Sequence, residues 1–418
     1  MRVLIFNPDE KGHNFVFLKL LIPALNALGC DITLAITQQG FASEEFRTHL
    51  TPLRHLFQAD TEVTTRPGTG SRGHRIGQLS AALKRARPGH LLVPNAEPLL
   101  ALLGLYSALG RVRIPSGVSC AYTLVRADFA YPAANVKQRA WFWAKERSIN
   151  AVPKATISLI DPIAYENIQR RGSALARRVS LLPEPLDDVA PIGKADARRR
   201  LGIPVEGRYL ACAGVLDPRK GVDLVIQAFA QAKLRPDDKL LLGGKAGPEI
   251  AELLSRQPTE MVRKGKIVLL NRYLSDEELN WVICASDVVA ATYRTSHRAP
   301  SGIINKAAVI GRPVLASRFG WSNIMVPEFG LGALTDIDNL TIFADDITRA
   351  LEQSCSFVPS PKTARLREYL SPENFAASWT AEIAQRLGRP APEIKTWEWV
   401  RAGAATTNGQ GPLIAGQY

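Results

Sequence analysis

Short apolar runs alternate with helical periods along both halves of this chain, and that alternation restricts its fold more than any other feature. In the first half Arg2–Phe6, Asp31–Ile36, His90–Val93, Val112–Ile114, Ala155–Leu159 and Val179–Leu182 read as strands. Between them Phe15–Leu28, Ile76–Ala86, Leu99–Leu109, Val136–Ile149 and Ile163–Arg171 carry the spacing of amphipathic helices. Strand-like runs return at Tyr209–Ala213, Lys239–Leu242, Ile267–Leu270, Val288–Ala291 and Val314–Ala316. Such alternation predicts parallel sheets wrapped by helices.

A chain of 418 residues exceeds what one core normally organises. The Pro- and Asp-rich segment from Pro183 to Pro191 reads as a linker. The expected domains are therefore 1–186 and 187–371, followed by a helical segment 372–400 and a tail 401–418 of turn-forming composition. A hydrophobic share of 46% and a charged share of 22% suit a globular protein in water. The apolar run at the N-terminus is too short for a signal peptide. Leu91–Leu109 is interrupted by Pro94, Asn95, Glu97, Pro98 and Gly104 and fails as a membrane span. The five cysteines show no paired spacing, so buried, reduced thiols and a cytoplasmic setting are expected.

The formal net charge is +13, and residues 1–188 hold 23 Lys and Arg against 15 Asp and Glu. A basic face suits anionic lipid or phosphorylated ligands, so peripheral contact with an anionic membrane at its inner face is one reading, and a merely solvated basic surface is the other. The basic runs lack interleaved aromatics, which argues against nucleic acid.

The stretch Arg208–Ala232 carries the chemistry. A strand ends at Gly214, a loop presents Arg219, Lys220 and Gly221, and a helix follows. A glycine turn, two cations and a helix N-terminus form a receptor for phosphate; the alternative is a pair of solvated loop charges. Further on, Gly243 and Gly244 permit close backbone approach after a strand. Ser275 and Glu278 have capping-box spacing. Ser301 and Gly302 open a helix whose first-turn amides suit an anion, and Gly311 ends it.

In order and spacing, ARRRLGIP, AGVLDPRKGVDLVIQAFAQA, YLSDEELNWVICASDVVAATYR and SGIINKAAVIGRPVLAS resemble the nucleotide-sugar half of family 4 glycosyltransferases. They run from about Ala197 to Ser317, and Gly12-His13 looks like the family's opening glycine loop. The resemblance implies the GT-B fold: two facing Rossmann-like domains, with the last helix crossing back onto the first. It implies a retaining, metal-independent enzyme that moves a sugar from a nucleotide-diphosphate sugar to a glycan, lipid or small-molecule acceptor. No cofactor is expected beyond that co-substrate. Position by position, Lys220 matches the lysine on the donor diphosphate and Gly214 the glycine ending the preceding strand. Val215 stands where an arginine is usual, and Arg219 is the candidate to replace its charge. Arg272 and Tyr273 fall near the nucleobase, and Ser301, Gly302 and Ile303 at the distal phosphate and sugar. Gly12 and Gly244 join the donor-binding set, and His13 joins Lys220 as a catalytic candidate, with a plain capping role as its alternative. The family's two glutamates, eight residues apart, are replaced by Arg298 and Lys306, which cannot accept hydrogen bonds from hydroxyls. Both join the donor-binding set, either holding extra anionic charge on a uronic-acid or phosphorylated donor or standing as solvated residues. A non-catalytic nucleotide-sugar or glycan-binding protein of the same fold is the second reading, and an epimerase or hydrolase a third. Asp9 and Glu10 are an acid–base pair or mere turn polarity. Trp141, Phe142 and Trp143 read as packing residues of one helix.

Overall fold

The computed structural model describes residues 1–9, 14–65, 71–153, 155–186, 190–256, 265–294 and 300–402. They form two compact units. The first is Met1–Pro185 with Tyr369–Glu398; the second is Leu186–Glu368, joined by the residues from Trp399.

The first unit is built on a parallel sheet of β1 (Arg2–Asn7), β2 (Asp31–Thr37), β3 (Gln58–Val63), β4 (His90–Val93), β5 (Ser119–Leu124), β6 (Ala155–Leu159) and β7 (Val179–Leu181). Its order is β3-β2-β1-β4-β5-β6-β7, so the winding reverses between β1 and β4. The second unit holds β8 (Tyr209–Ala213), β9 (Lys239–Gly243), β10 (Ile267–Leu270), β11 (Val288–Ala291), β12 (Val314–Ser317) and β13 (Gly332–Thr335). Its order is β10-β9-β8-β11-β12-β13, with the reversal between β8 and β11. Ligands of doubly wound sheets bind beyond the strand ends where the winding reverses. Each unit therefore has one favoured edge.

The helix Asn14–Ala27 buries Phe15, Leu18, Leu21, Ile22 and Leu25, which pack with Val3, Ile5, Ile32 and Leu34 of β1 and β2. The helix Pro372–Arg386 adds Phe375, Trp379 and Ile383 to the same cluster. Phe17 and Phe375 have ring centroids 5.2 Å apart. Ser371 caps this last helix by accepting from the Asn374 amide at 3.1 Å. Tyr369 stacks against Trp397 at 5.5 Å, and Trp397 Nε1 donates to Glu166 at 2.9 Å.

Four strand assignments need correction, and one of them is β13, GALT, a short, partly exposed edge strand that the sequence pattern does not mark. Val112–Ile114 is not a strand but a connection ahead of β5, because Pro115 and Gly117 break it. β5 itself, SCAYTL, mixes small polar and apolar residues and gives no plain apolar run, yet all six are buried. β3, QADTEV, was missed because it is polar; it lies at the sheet edge, where solvent meets its side chains. Cys30, Cys120, Cys212 and Cys284 are buried free thiols and Cys355 is exposed. Among the described residues no helix is long and apolar enough to cross a membrane.

Candidate functional site

In the second unit the loops after β8, β9 and β11 converge at the winding reversal. Gly214, at φ +83°, donates its amide to Gly243 O at 2.9 Å. Gly244 has φ +144°, and a Cβ there would lie 2.0 Å from Gly214 O. Only glycine allows these two loops to touch. Asp217 then starts a tight turn, its Oδ1 accepting from the Lys220 amide at 3.0 Å. Gly221 ends that turn at φ +64°, where a Cβ would meet Thr292 O at 2.4 Å. Thr292 Oγ1 donates to Lys220 O at 3.2 Å, binding the turn to the end of β11.

Within this frame Lys220 curls back over the strand end and donates from Nζ to Ala213 O at 2.8 Å. Burial lowers its pKa from 10.5 to about 8, and the Arg219 charge pushes the same way; Asp217 and Cys212 oppose them. Arg219 is exposed, 3.4 Å from Asp217, with its guanidinium 5.7 Å from the Tyr293 ring centroid. Tyr293 is buried and its hydroxyl pairs with Ser301 Oγ at 3.0 Å. Ser301 caps the helix Gly302–Ile310, accepting from the Ile304 amide at 3.3 Å. The structure thus joins Gly214, Arg219, Lys220 and Gly244 to Ser301 through Thr292 and Tyr293. Gly302 and Ile303 open the helix that Ser301 caps, and first-turn amides have no acceptor within their own helix. Two cations and a helix N-terminus on one frame can offset the charge of a diphosphate.

Arg272 and Tyr273 follow β10, next to this frame, since Asn271 Oδ1 accepts from the Ala246 amide at 2.9 Å. Tyr273 is 78% exposed. Arg272 is committed to Glu278 by two hydrogen bonds of 2.9 and 2.6 Å, and these hold the Glu278 carboxyl well below its ordinary pKa. Glu278 also completes the capping box with Ser275. Lys306 Nζ donates to the buried Asn280 at 3.3 Å. Gly12, His13 and Arg298 lie outside the described residues, as does Glu10.

Sequence reasoning passed over Asp217, Thr292 and Tyr293. Asp217-Pro218 is itself a turn signal, but the partners of Thr292 and Tyr293 lie far away in the chain. In the first unit, at the ends of β1 and β4, Asp9 accepts from Asn14 (3.1 Å), Asn95 (3.0 Å) and Arg75 (2.8 Å). Three donors thus converge on one carboxylate, while Glu10, its partner in the acid–base reading, lies outside the described residues. The buried amide of Asn7 has no hydrogen-bond partner among the described residues. Two residues after Asn95, burial raises Glu97 to about 7, against the pull of Lys145 and Arg126.

Both units are Rossmann-like, and the solved structures that resemble the chain share this plan. Anabaena Alr3699/HepE in complex with UDP matches with a TM-score of 0.65 at 17% identity, over 92% of this chain and 100% of that one. Sucrose-phosphate synthase from Thermosynechococcus elongatus matches at 0.67 and 17%, over 93% and 99%. WaaG, a glycosyltransferase involved in lipopolysaccharide biosynthesis, matches at 0.61 and 15%, over 90% and 99%. The fold is GT-B. The family described as glycosyl transferases group 1 matches residues 207–353 of the chain. Curated relatives include the D-inositol 3-phosphate glycosyltransferase of Corynebacterium efficiens, 29% identical over 161 residues, 37% of either chain. That of Corynebacterium glutamicum is 29% identical over 194 residues, 45% of this chain and 44% of the relative. The chain thus matches less than half the length of these relatives.

Proposed function

We propose that the protein is a retaining, metal-independent glycosyltransferase that takes its sugar from a nucleotide-diphosphate donor. The acceptor would be a glycan, a lipid or a small molecule. The observation that carries this reading is the frame at the ends of β8 and β11, where Lys220 and the Ser301 helix cap are held together through Thr292 and Tyr293. Departure of a nucleoside diphosphate leaves negative charge on the β-phosphate, and preorganised cations and amides stabilise it without reorganising. Lys220, Arg219 and the amides of Gly302 and Ile303 supply those groups, so no metal is needed to neutralise the leaving group. The relatives' names support glycosyl transfer, and the HepE structures with UDP and UDP-glucose support a nucleotide-sugar ligand. With Lys306 turned to Asn280 in place of a carboxylate, the sugar and ribose hydroxyls would be held by backbone groups instead.

A thermal-shift series with UDP, GDP, ADP and their glucose conjugates tests the proposal. A ligand at 100 times its Kd adds about 2.7 kcal/mol to stability, which for a domain of this size raises Tm by roughly 5–10 °C. One nucleotide series should produce that rise, and release of nucleoside diphosphate should then accelerate with an acceptor extract. No rise with any nucleotide would remove the donor site. A rise with no turnover would favour the binding-protein reading.

A further inference from the structure

The helix Val136–Asn150 presents an unusual surface. Trp141 and Trp143 are 53% and 60% exposed, and Val136, Ala140 and Ala144 are exposed beside them. This corrects the expectation that the aromatic run packs inward: only Phe142 is half-buried. The cations Lys137, Arg139 and Arg147 are exposed on the same helix. Its one carboxylate, Glu146, is half-buried and turned to Arg171 at 3.7 Å. The Arg147 guanidinium lies 4.7 Å from the Trp143 ring centroid, and Lys145 Nζ lies 5.4 Å from that of Trp141.

The neighbouring helix Leu100–Ala108 extends the surface. A Cβ at Gly104 would lie 1.7 Å from Ser148 O, so the two helices meet backbone to backbone. They follow β4 and β5 on right-handed crossovers progressing in one direction, which puts them in one layer of the first unit. Leu105 and Leu109 are exposed on that layer, and the exposed Arg111 and Arg113 come just after. No Asp or Glu occurs between Leu99 and Ala127.

We infer that this layer docks on an anionic lipid bilayer, with Trp141 and Trp143 seated among the headgroups and the cations at the lipid phosphates. Indole rings, with one apolar face and one polar edge, favour that boundary. Cations around them, with carboxylates withheld, complement a negative surface. The tight contact at Gly104 makes the platform rigid, so docking costs little ordering. The inference concerns the first unit alone and does not depend on the transferase reading.

Sedimentation of the full chain with vesicles tests it, using phosphatidylcholine alone or with one third phosphatidylglycerol. The parent should bind the mixed vesicles at least tenfold more strongly than the neutral ones. Raising salt from about 0.1 M to about 0.5 M should release it. The double variant Trp141→Ser, Trp143→Ser should lose about tenfold or more of this binding. Its Tm should match the parent, because both side chains face solvent. Equal binding by parent and variant, or no binding by the parent, overturns the inference. So does a parent that self-associates through this face, ignores vesicles and becomes monomeric on substitution.

Discussion

Lys220→Ala is expected to lower turnover on the order of 100-fold, about 2.7 kcal/mol of transition-state stabilisation, with the fold retained. The amine is the cation most firmly aimed at the strand end: its alkyl chain is covered, and Nζ is tied to Ala213 O at 2.8 Å. Arg219, exposed and shared with Asp217, does not substitute for it. Donor binding by the parent should also depend on pH. With burial holding Lys220 at about 8, the amine is charged below that value and loses its proton above it. An anion binds the protonated form, so each bound donor must take up a proton once the pH passes 8. Affinity then falls by up to tenfold per pH unit. A nucleotide sugar is the right probe, because its diphosphate has no ionisation near pH 8. Lys220→Arg keeps its charge throughout this range and should flatten the profile. A parent profile that stays flat from pH 7 to pH 9.5, or normal turnover by the alanine variant, would remove Lys220 from the reaction.

Gly244→Ala should be among the most damaging single methyls in the second unit. The added carbon would fall 2.0 Å from Gly214 O and 2.6 Å from its carbonyl carbon, so backbone rather than a flexible side chain must yield. The residue also sits at φ +144°, where side chains are strained whatever the space. Together these cost roughly 3 kcal/mol, or about 6–12 °C in Tm. Because the movement would separate the loops after β8 and β9, the nucleotide-dependent rise in Tm should disappear as well. Gly172→Ala is the control, since Gly172 also has a positive φ but nothing lies within 4 Å of its missing Cβ. Equal losses in the two variants would mean that strain alone matters and the loop contact does not.

The local parts of this architecture were readable in the residues. Ser275 with Glu278 and Ser301 with Gly311 mark helix ends by chemistry confined to a few positions, and both behave as their spacing suggests. Gly214 and Gly221 announce turns in the same way. What sequence could not reveal are pairings across long separations, such as Thr292 with Lys220 and Asp9 with Arg75. β5 was hidden for another reason: its burial comes from strands on either side, not from its own hydrophobicity. The aromatic run at Trp141 departs from inward packing for a geometric reason. Successive residues point about 100° apart, so three in a row cannot all turn inward, and Phe142 alone does so in part. The acidic positions of the family pattern are a mixed case, since Lys306 has a defined partner whereas Arg298 falls outside the described residues.

The return of Pro372–Arg386 to the core around β1 has a consequence for biosynthesis. Phe375, Trp379 and Ile383 fill a cluster whose other buried members all precede the second unit in the chain, from Val3 to Leu182. A nascent chain must therefore hold Leu18, Leu21 and Ile22 without this cover while the whole second unit is still being made. The first unit is therefore completed only after the second has been synthesised, and a premature stop before Phe375 would leave that apolar face open.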